Sequence, residues 1–303
     1  MDKTNSEISN LKEMLLIQYG EDITNKIFKE YEEKRKVTLR INNLKSNIEK
    51  VKQKLDSQGI IYKNVDWYPE ALIIENVRED KIKALDIFEN GEIYLQSLSS
   101  MIPPMIVNPL KGENILDMAA APGGKTTQMA ALSQNEAMIT ACEKNKIRAE
   151  RLKYNLDKQG TKRVNVMVED ARNLSDYFSF DKILLDAPCS GSGTICLQEE
   201  QSYKSFSKEL IERSAKVQEQ LLTKALKILK KDGEMIYSTC SILAKENEDV
   251  LNKVLSKINA NIVPIEDEWI KKIPTLPVKI NGTICVCPNE LYEGFFVAKI
   301  RKS

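Results

Sequence analysis

Histidine is absent from this chain of 303 residues. Because histidine is the side chain that most often transfers protons near neutral pH, any such chemistry here must use Cys, Asp, Glu, Lys or Tyr. The six cysteines, at positions 142, 189, 196, 240, 285 and 287, include no C-x-x-C pair. Without histidine and without such a pair, the sequence predicts that the protein binds no metal.

Long apolar runs and disulfide patterns are also missing. No stretch approaches the roughly 20 apolar residues that a membrane-spanning helix requires. The first ten residues are polar and include acids, unlike a secretory signal. Six cysteines in a chain of this length favour a reducing compartment over a disulfide framework. We therefore predict a cytoplasmic protein without membrane contact.

A strong excess of either charge is missing too, since the formal net charge is +1. Two stretches are nevertheless locally basic: residues 34–54 hold eight bases and one acid, and residues 144–163 hold eight bases and two acids. Such stretches suit a phosphate backbone, and solvated helix faces have the same composition. Composition alone leaves both interpretations open.

The first third of the chain predicts a small α+β unit, residues 1–90. Apolar residues recur at helical spacing over residues 1–36, and short apolar runs at 37–41, 60–62 and 71–74 predict strands. An amphipathic helix is expected over residues 46–57, with Ser46 as its N-cap and Gly59 ending it.

From residue 91 to residue 303 the pattern becomes an alternation of strands and helices. The predicted strands are 114–118, 138–142, 164–168, 182–186, 234–238 and 295–299, and the predicted helices are about 125–133, 145–158, 206–230 and 243–257. This alternation predicts a mostly parallel sheet covered on both faces, with its ligand at the carboxyl ends of the strands.

A loop of small residues follows the first of these strands and opens a helix. It consists of Ala119, Ala120, Ala121, Pro122, Gly123, Gly124 and Lys125. Small side chains let a backbone approach a ligand closely, and a helix N-terminus offers free amides. The loop is not a P-loop, because Ala119 occupies the leading glycine position, and it fails the dinucleotide fingerprint as well.

Acids follow the next two strands. Glu143 lies about 20 residues past the loop, where a carboxylate accepts hydrogen bonds from ribose hydroxyls. Asp170, next to Glu169, could accept from an adenine amino group. Together with the loop, these acids predict a nucleoside-binding site, although Glu143 alone is also explained as an exposed helix cap.

Two cysteines follow the last two parallel strands, Cys189 after Asp186 and Cys240 after Thr239. Neither lies in a periodic apolar pattern, so core packing explains them poorly. Adjacent strands would bring both thiols into one cleft, where a thiolate is a nucleophile.

Three motifs together closely resemble the Sun-type (RsmB/NSUN) RNA cytosine-5 methyltransferases. They are DMAAAPGGKT at 117–126, DAPCSG at 186–191 and STCS at 238–241. Supporting matches lie at 40–42, 96–101 and 293–299, so the resemblance covers about residues 37–300. One departure is Ala119, where many members carry a cysteine that is not the nucleophile.

The resemblance implies a Rossmann-like class I methyltransferase domain, preceded by an RRM-like module, that uses S-adenosyl-L-methionine on tRNA or rRNA. Cys240 would be the covalent nucleophile and Cys189 would assist release. The chemistry of such a nucleophile adds that Asp186 could bind the base edge and that a helix N-terminus or Lys125 could lower the pKa of the thiol. The implied cofactor contacts are Ala119, Ala120, Ala121, Pro122, Gly123, Gly124, Lys125, Glu143, Arg148, Asp170 and Asp186.

Three other functions remain open from the sequence. A DNA cytosine-5 methyltransferase would use the Pro-Cys thiol, Cys189, as its nucleophile and would not be expected to carry the Thr-Cys motif. A non-catalytic nucleotide-binding factor of ribosome assembly would not need Lys125, Asp186 and both thiols intact. An oxidoreductase on the same fold is disfavoured by the failed dinucleotide fingerprint.

Overall fold

The computed structural model describes residues 3–303, with side chains from residue 7 onward. The helices are α1 (Lys3–Tyr19), α2 (Glu21–Tyr31), α3 (Ile48–Ser57), α4 (Glu79–Lys83), α5 (Asp86–Glu89), α6 (Leu98–Val107), α7 (Gly124–Leu132), α8 (Lys146–Lys158), α9 (Lys208–Ile228) and α10 (Glu248–Leu255). The strands are β1 (Val37–Ile41), β2 (Tyr62–Asn64), β3 (Ala71–Ile74), β4 (Ile93–Leu95), β5 (Asn114–Asp117), β6 (Met138–Cys142), β7 (Val164–Met167), β8 (Phe180–Asp186), β9 (Leu229–Thr239), β10 (Ala260–Val263), β11 (Thr275–Leu276), β12 (Ile284–Val286) and β13 (Phe295–Lys302).

The small unit is a four-stranded sheet in the order β2-β3-β1-β4, with β1 antiparallel to both of its neighbours. Helix α3 buries Val51 and Leu55 in the apolar cluster of this sheet, which includes Leu39 and Leu72. The expected α+β unit is therefore present. The short strand predicted at 60–62 begins at Tyr62 instead.

The predicted N-cap of α3 is wrong. The helix begins after Asn47, whose side-chain oxygen accepts a hydrogen bond from the Lys50 amide at 2.9 Å. Ser46 instead donates its hydroxyl to Glu92 Oε2 at 2.7 Å. Asparagine and serine cap helices about equally well, so two adjacent capping residues leave the first turn ambiguous in the sequence.

Helices α1 and α2 pack against the large sheet. Their buried residues Leu11, Leu15, Ile27 and Tyr31 belong to the apolar cluster that also contains strand residues of that sheet, such as Leu185. The single helical stretch predicted for residues 1–36 is divided at Gly20, which has a φ of 78°. The core of the larger unit thus includes helices from the first 36 residues.

The large sheet has nine strands in the order β11-β12-β13-β9-β8-β5-β6-β7, with β10 pairing β13. Strands β5 to β9 run parallel to one another, and β13 is antiparallel to β9. Successive residues of β8 alternate between two apolar clusters, with Ile183 and Leu185 in one and Leu184 in the other. Both faces are therefore covered, as the strand–helix alternation predicts.

The strand order reverses between β5 and β8, which are neighbours although β6 and β7 separate them in the chain. In such sheets the crevice at the carboxyl ends of these two strands is the usual ligand site. Within residues 3–303, no helix is both long enough and apolar enough to cross a bilayer.

Candidate active site

A cleft of ≈ 1710 Å³ opens at the carboxyl edge of the large sheet, where the strand order reverses. Its walls come from the loop after β5, the ends of β8 and β9, the start of β13, and strand β4 of the small sheet. The predicted loop residues Ala119, Ala120, Ala121, Pro122, Gly124 and Lys125 all line it, as do Asp186 and Cys240.

The loop after β5 is held by its backbone. The Ala120 amide donates to the Cys142 carbonyl at 2.9 Å, and Arg148 Nη2 donates to the Ala121 carbonyl at 2.7 Å. Gly123, with a φ of 111°, turns the chain into α7. A Cβ on Gly124 would lie 3.1 Å from Cε1 of Tyr94, so this glycine lets the small sheet close against the loop.

Lys125 lies at the centre of the cleft and joins its two sides. Its ammonium donates to Asp186 Oδ2 at 2.6 Å and to Ser100 Oγ at 2.8 Å, and it lies 5.4 Å from the ring centroid of Phe295. Ser238 Oγ donates to the other Asp186 oxygen at 2.8 Å. Burial opposes the charged form, but the Asp186 carboxylate outweighs it and raises the pKa of Lys125.

The two thiols face each other, as their positions after adjacent strands predict. Cys189 Sγ and Cys240 Sγ are 2.8 Å apart, and both side chains are half-buried and free of disulfides. The hydrogen bond with Cys240, burial and the charges of Cys240 and Glu246 raise the pKa of Cys189 well above its ordinary value. The two thiols therefore occupy different electrostatic environments.

The predicted acids Glu143 and Asp170 follow β6 and β7 at the same sheet edge, but neither lines the cleft that contains Lys125. Glu143 is buried; its Oε1 accepts from the Asn145 amide at 2.8 Å, and its Oε2 lies 3.4 Å from Arg148 Nη1. Asp170 accepts from Arg172 through three contacts, which lower its pKa. Each carboxylate therefore has its hydrogen-bond and ion-pair partners among residues that follow it closely in the chain.

Asp117 is a site residue that the sequence reasoning missed. It ends β5, lines the cleft and is buried, with Oδ2 accepting from Thr126 Oγ1 at 2.6 Å. Its Oδ1 is buried without a hydrogen-bond partner among the residues that the structure describes. Burial raises the pKa of Asp117 to about 6. The sequence does hold one signal that could have identified Asp117, since this residue begins the motif DMAAAPGGKT at 117–126.

Two bases of the 34–54 stretch are structural, so neither of the two open interpretations, phosphate contact or solvated helix face, applies to them. Arg40 is fully buried and donates to Gln96 Oε1 at 3.2 Å and Thr127 Oγ1 at 3.1 Å. Arg35 donates to backbone carbonyls, including that of Thr194 at 3.1 Å. Their guanidinium groups connect the small sheet and α2 to the larger unit. Lys50, by contrast, is exposed.

Among residues 3–303, no group of three or more Cys, Asp or Glu side chains is arranged to hold a metal ion.

The comparisons with known proteins match the two-sheet architecture described above. A family model described as 16S rRNA methyltransferase RsmB/F matches residues 104–301, and one described as a ferredoxin-like domain of RsmF/B-like methyltransferases matches residues 11–79. The chain belongs to the RsmB/F methyltransferase family.

Relatives within and near this family act on two kinds of RNA. Ribosomal RNA small subunit methyltransferase F of Psychromonas ingrahamii is 34% identical over 88% of this chain and 56% of its own length. The tRNA (cytosine(49)-C(5))-methyltransferase of Pyrococcus abyssi is 34% identical over 88% of each chain. The chain thus spans about half the length of its rRNA-modifying relative.

Solved structures agree with the fold. A methyltransferase homolog protein from Pyrococcus horikoshii is 32% identical with a TM-score of 0.81, over 94% of this chain and 92% of that chain. NSun6 from the same organism, solved with SFG, is 25% identical with a TM-score of 0.85, over 96% of this chain and 97% of that chain. The predicted Rossmann-like methyltransferase domain with a small N-terminal α+β domain is confirmed.

Proposed function

We propose that this protein transfers a methyl group from S-adenosyl-L-methionine to carbon 5 of a cytosine in tRNA or rRNA, through a covalent adduct with Cys240. The observation that carries the proposal is the pair of thiols, 2.8 Å apart, of which Cys240 lines the same cleft as the Lys125–Asp186 ion pair. Core packing does not require two free thiols beside a charged pair at a sheet edge.

The cleft's own residues fit S-adenosyl-L-methionine, which supplies the activated methyl group when it is bound. The small side chains of Ala119 to Pro122 leave the backbone of the cleft wall accessible, and the buried, unpaired Oδ1 of Asp117 suits an ammonium group. Glu143 would accept from ribose hydroxyls and Asp170 from adenine, with Arg148 positioning Glu143 and the loop. Ala119 in place of cysteine removes no group that this chemistry uses.

Carbon 5 of cytosine is a poor nucleophile, and a thiolate overcomes this. The Cys240 thiolate would form a bond to carbon 6, and the electron pair of the 5,6 double bond would make carbon 5 nucleophilic enough to take the methyl group that S-adenosyl-L-methionine supplies. The sulfur of the cofactor would keep the electron pair of the broken bond. Asp186 lies where it can hold the base edge and favour protonation of the ring nitrogen. Loss of the carbon 5 proton to water would then restore the double bond, and the electron pair of the broken bond between carbon 6 and sulfur would return to Cys240 as its thiolate. Cys189 would assist this release.

The substrate assignment follows the relatives, whose names specify tRNA cytosines and the small-subunit rRNA. RNA would contact the lysines of α3, of which Lys50 and Lys54 are exposed and Lys52 is half-buried. With cysteines suited to a reducing compartment, we place the protein in the cytoplasm, where both kinds of RNA are found.

The test compares covalent adducts of two variants with labelled RNA on denaturing gels. Cys240→Ala should form no adduct, because addition to carbon 6 never occurs. Cys189→Ala should add and methylate but release slowly, so that a retarded protein–RNA band accumulates. A band from Cys240→Ala and none from Cys189→Ala would reverse the roles, as in a DNA cytosine-5 methyltransferase. Methylation by Cys240→Ala at the unmodified rate would refute covalent catalysis by this thiol.

A further inference from the structure

Glu246 contacts the loop that carries Cys189. This glutamate lies in a turn before α10, its side chain is fully buried, and its two carboxylate oxygens accept from the next residue along that loop. Ser190 donates its amide to Oε1 at 2.7 Å and its hydroxyl to Oε2 at 2.6 Å. The position of Cys189 is therefore tied to this carboxylate.

The following residue, Asn247, contacts the loop that carries Cys240. Its Oδ1 accepts from Thr239 Oγ1 at 2.6 Å, and its Nδ2 donates to the Ser241 carbonyl at 2.9 Å. Thr239 and Ser241 flank Cys240, so two consecutive buried residues hold the two cysteine loops. Tyr237 fixes this dipeptide by donating its hydroxyl to the Glu246 carbonyl at 2.6 Å.

Two thiols 2.8 Å apart do not both ionise, because like charges at this distance repel strongly. The surroundings of the pair are unsymmetrical. Lys125 and Cys240 line the same cleft, whereas the Glu246 carboxylate binds Ser190, the neighbour of Cys189. The hydrogen bond with Cys240, burial and the charge of Cys240 raise the pKa of Cys189, and the charge of Glu246 raises it further. A cation on one side and an anion on the other direct the single negative charge to Cys240.

We propose that Glu246 is a positioning residue that selects which thiol of the pair ionises, keeping Cys189 protonated so that Cys240 alone is the attacking thiolate. The roles of the two thiols rest on the proposed function; the direction of ionisation rests on geometry and charge. The other titratable groups nearby do not supply the asymmetry: Tyr237 is buried and neutral, and Asp186 is ion-paired with Lys125.

The substitution Glu246→Gln removes the negative charge while keeping nearly the same side-chain shape. The carbonyl oxygen of the glutamine can still accept from the Ser190 amide, and its NH₂ group can donate to the Ser190 hydroxyl. In Glu246→Gln we expect the pH midpoint of Cys189 alkylation by iodoacetamide to fall by about one unit or more. The ratio of Cys240 to Cys189 labelling at neutral pH, read by tandem mass spectrometry, should then fall about tenfold. Glu246→Asp keeps the charge and should keep the ratio within about twofold of the unmodified protein.

The matched control is Glu248→Gln, which neutralises another buried glutamate of the same segment that accepts only a long bond, 3.3 Å, from the Lys279 amide. It should leave the labelling ratio unchanged. An unchanged ratio in Glu246→Gln, or equal changes in both variants, would overturn the proposal. Alkylation requires neither RNA nor cofactor, so a protein with the expected ratio that methylates no RNA would refute the proposed function alone.

Discussion

The two halves of the sheet's carboxyl edge are organised differently. At the ends of β8 and β9, the candidate catalytic groups contact one another: Lys125 binds Asp186, and Cys189 lies against Cys240. At the ends of β6 and β7, Glu143 and Asp170 are each paired within their own segments.

With the proposed function, this difference matches what each half would require. Catalytic groups must hold fixed distances before a reaction begins, so contacts among them are useful in the free protein. Side chains that bind separate parts of one ligand, as proposed for Glu143 and Asp170, need only face the same binding site and need not contact each other. The following predictions test this division between a preassembled chemical half and a ligand-organised half.

The largest effect is expected in the chemical half. Cys240→Ala should lower methyl transfer on the order of 10³-fold or more, because loss of a nucleophile removes the covalent route. Cofactor affinity, measured by calorimetry, should stay within about twofold, because the thiol makes no contact with the acids of the other half. A variant that loses cofactor binding together with transfer would show that the two halves are coupled.

A smaller effect is expected in the other half. Glu143→Gln removes a charged acceptor, so the Kd for S-adenosyl-L-methionine should rise roughly 10- to 100-fold, or about 1.5–3 kcal/mol. The relative reactivity of Cys189 and Cys240 should not change. Glu150→Gln, on the exposed side of α8, is the matched control and should bind the cofactor normally. Equal weakening by both substitutions would contradict the role of Glu143.

Asp117 lies between the halves and predicts a pH effect on stability. Its native pKa of about 6 exceeds the ordinary value of 3.8, so the native state binds this proton more tightly than the unfolded state does. The resulting stabilisation is present at low pH and is lost as the pH rises through about 6.

Asp117→Asn should therefore gain stability relative to the unmodified protein as the pH rises from about 4 to 7, on the order of 1–3 kcal/mol. Urea unfolding at several pH values measures this difference. Asp249→Asn, on the exposed side of α10, should show no such trend. A difference that is independent of pH would mean that Asp117 does not titrate in this range.

The smallest effect is expected outside both halves. Reversing Lys50, Lys52 and Lys54 to Glu should weaken RNA binding about tenfold and reduce the slope of log K against log salt by about 2, since each single-strand contact contributes about 0.7. Cofactor affinity should not change. Lys231→Glu, at the amino end of β9, is the control. Unchanged RNA affinity in the triple variant would mean that these lysines do not contact RNA.

The sequence predicts best the positions of residues that directly follow the strands of the parallel sheet. Cys189 and Cys240 meet because each follows a strand and the two strands are parallel neighbours, so periodicity and order suffice. The loop from Ala119 to Lys125 is predicted for the same reason.

Contacts that depend on side-chain packing could not be predicted. Ser100 and Phe295 reach Lys125 from α6 and β13, far apart in the chain, and nothing in their local patterns marks the contact. Composition also cannot tell a buried arginine from an exposed one, so Arg40 counted toward a basic stretch although it lies inside the protein.

The buried Arg40 has a consequence for how this protein could be divided or recombined. Its backbone belongs to the small sheet, while its guanidinium binds Thr127 at the start of α7, next to the glycine that Tyr94 closely approaches. A catalytic fragment cut free of the small sheet would lose a wall of its own cleft. Replacing residues 37–95 with a foreign domain would therefore require rebuilding the wall of the cleft that Arg40 and Tyr94 now hold in place.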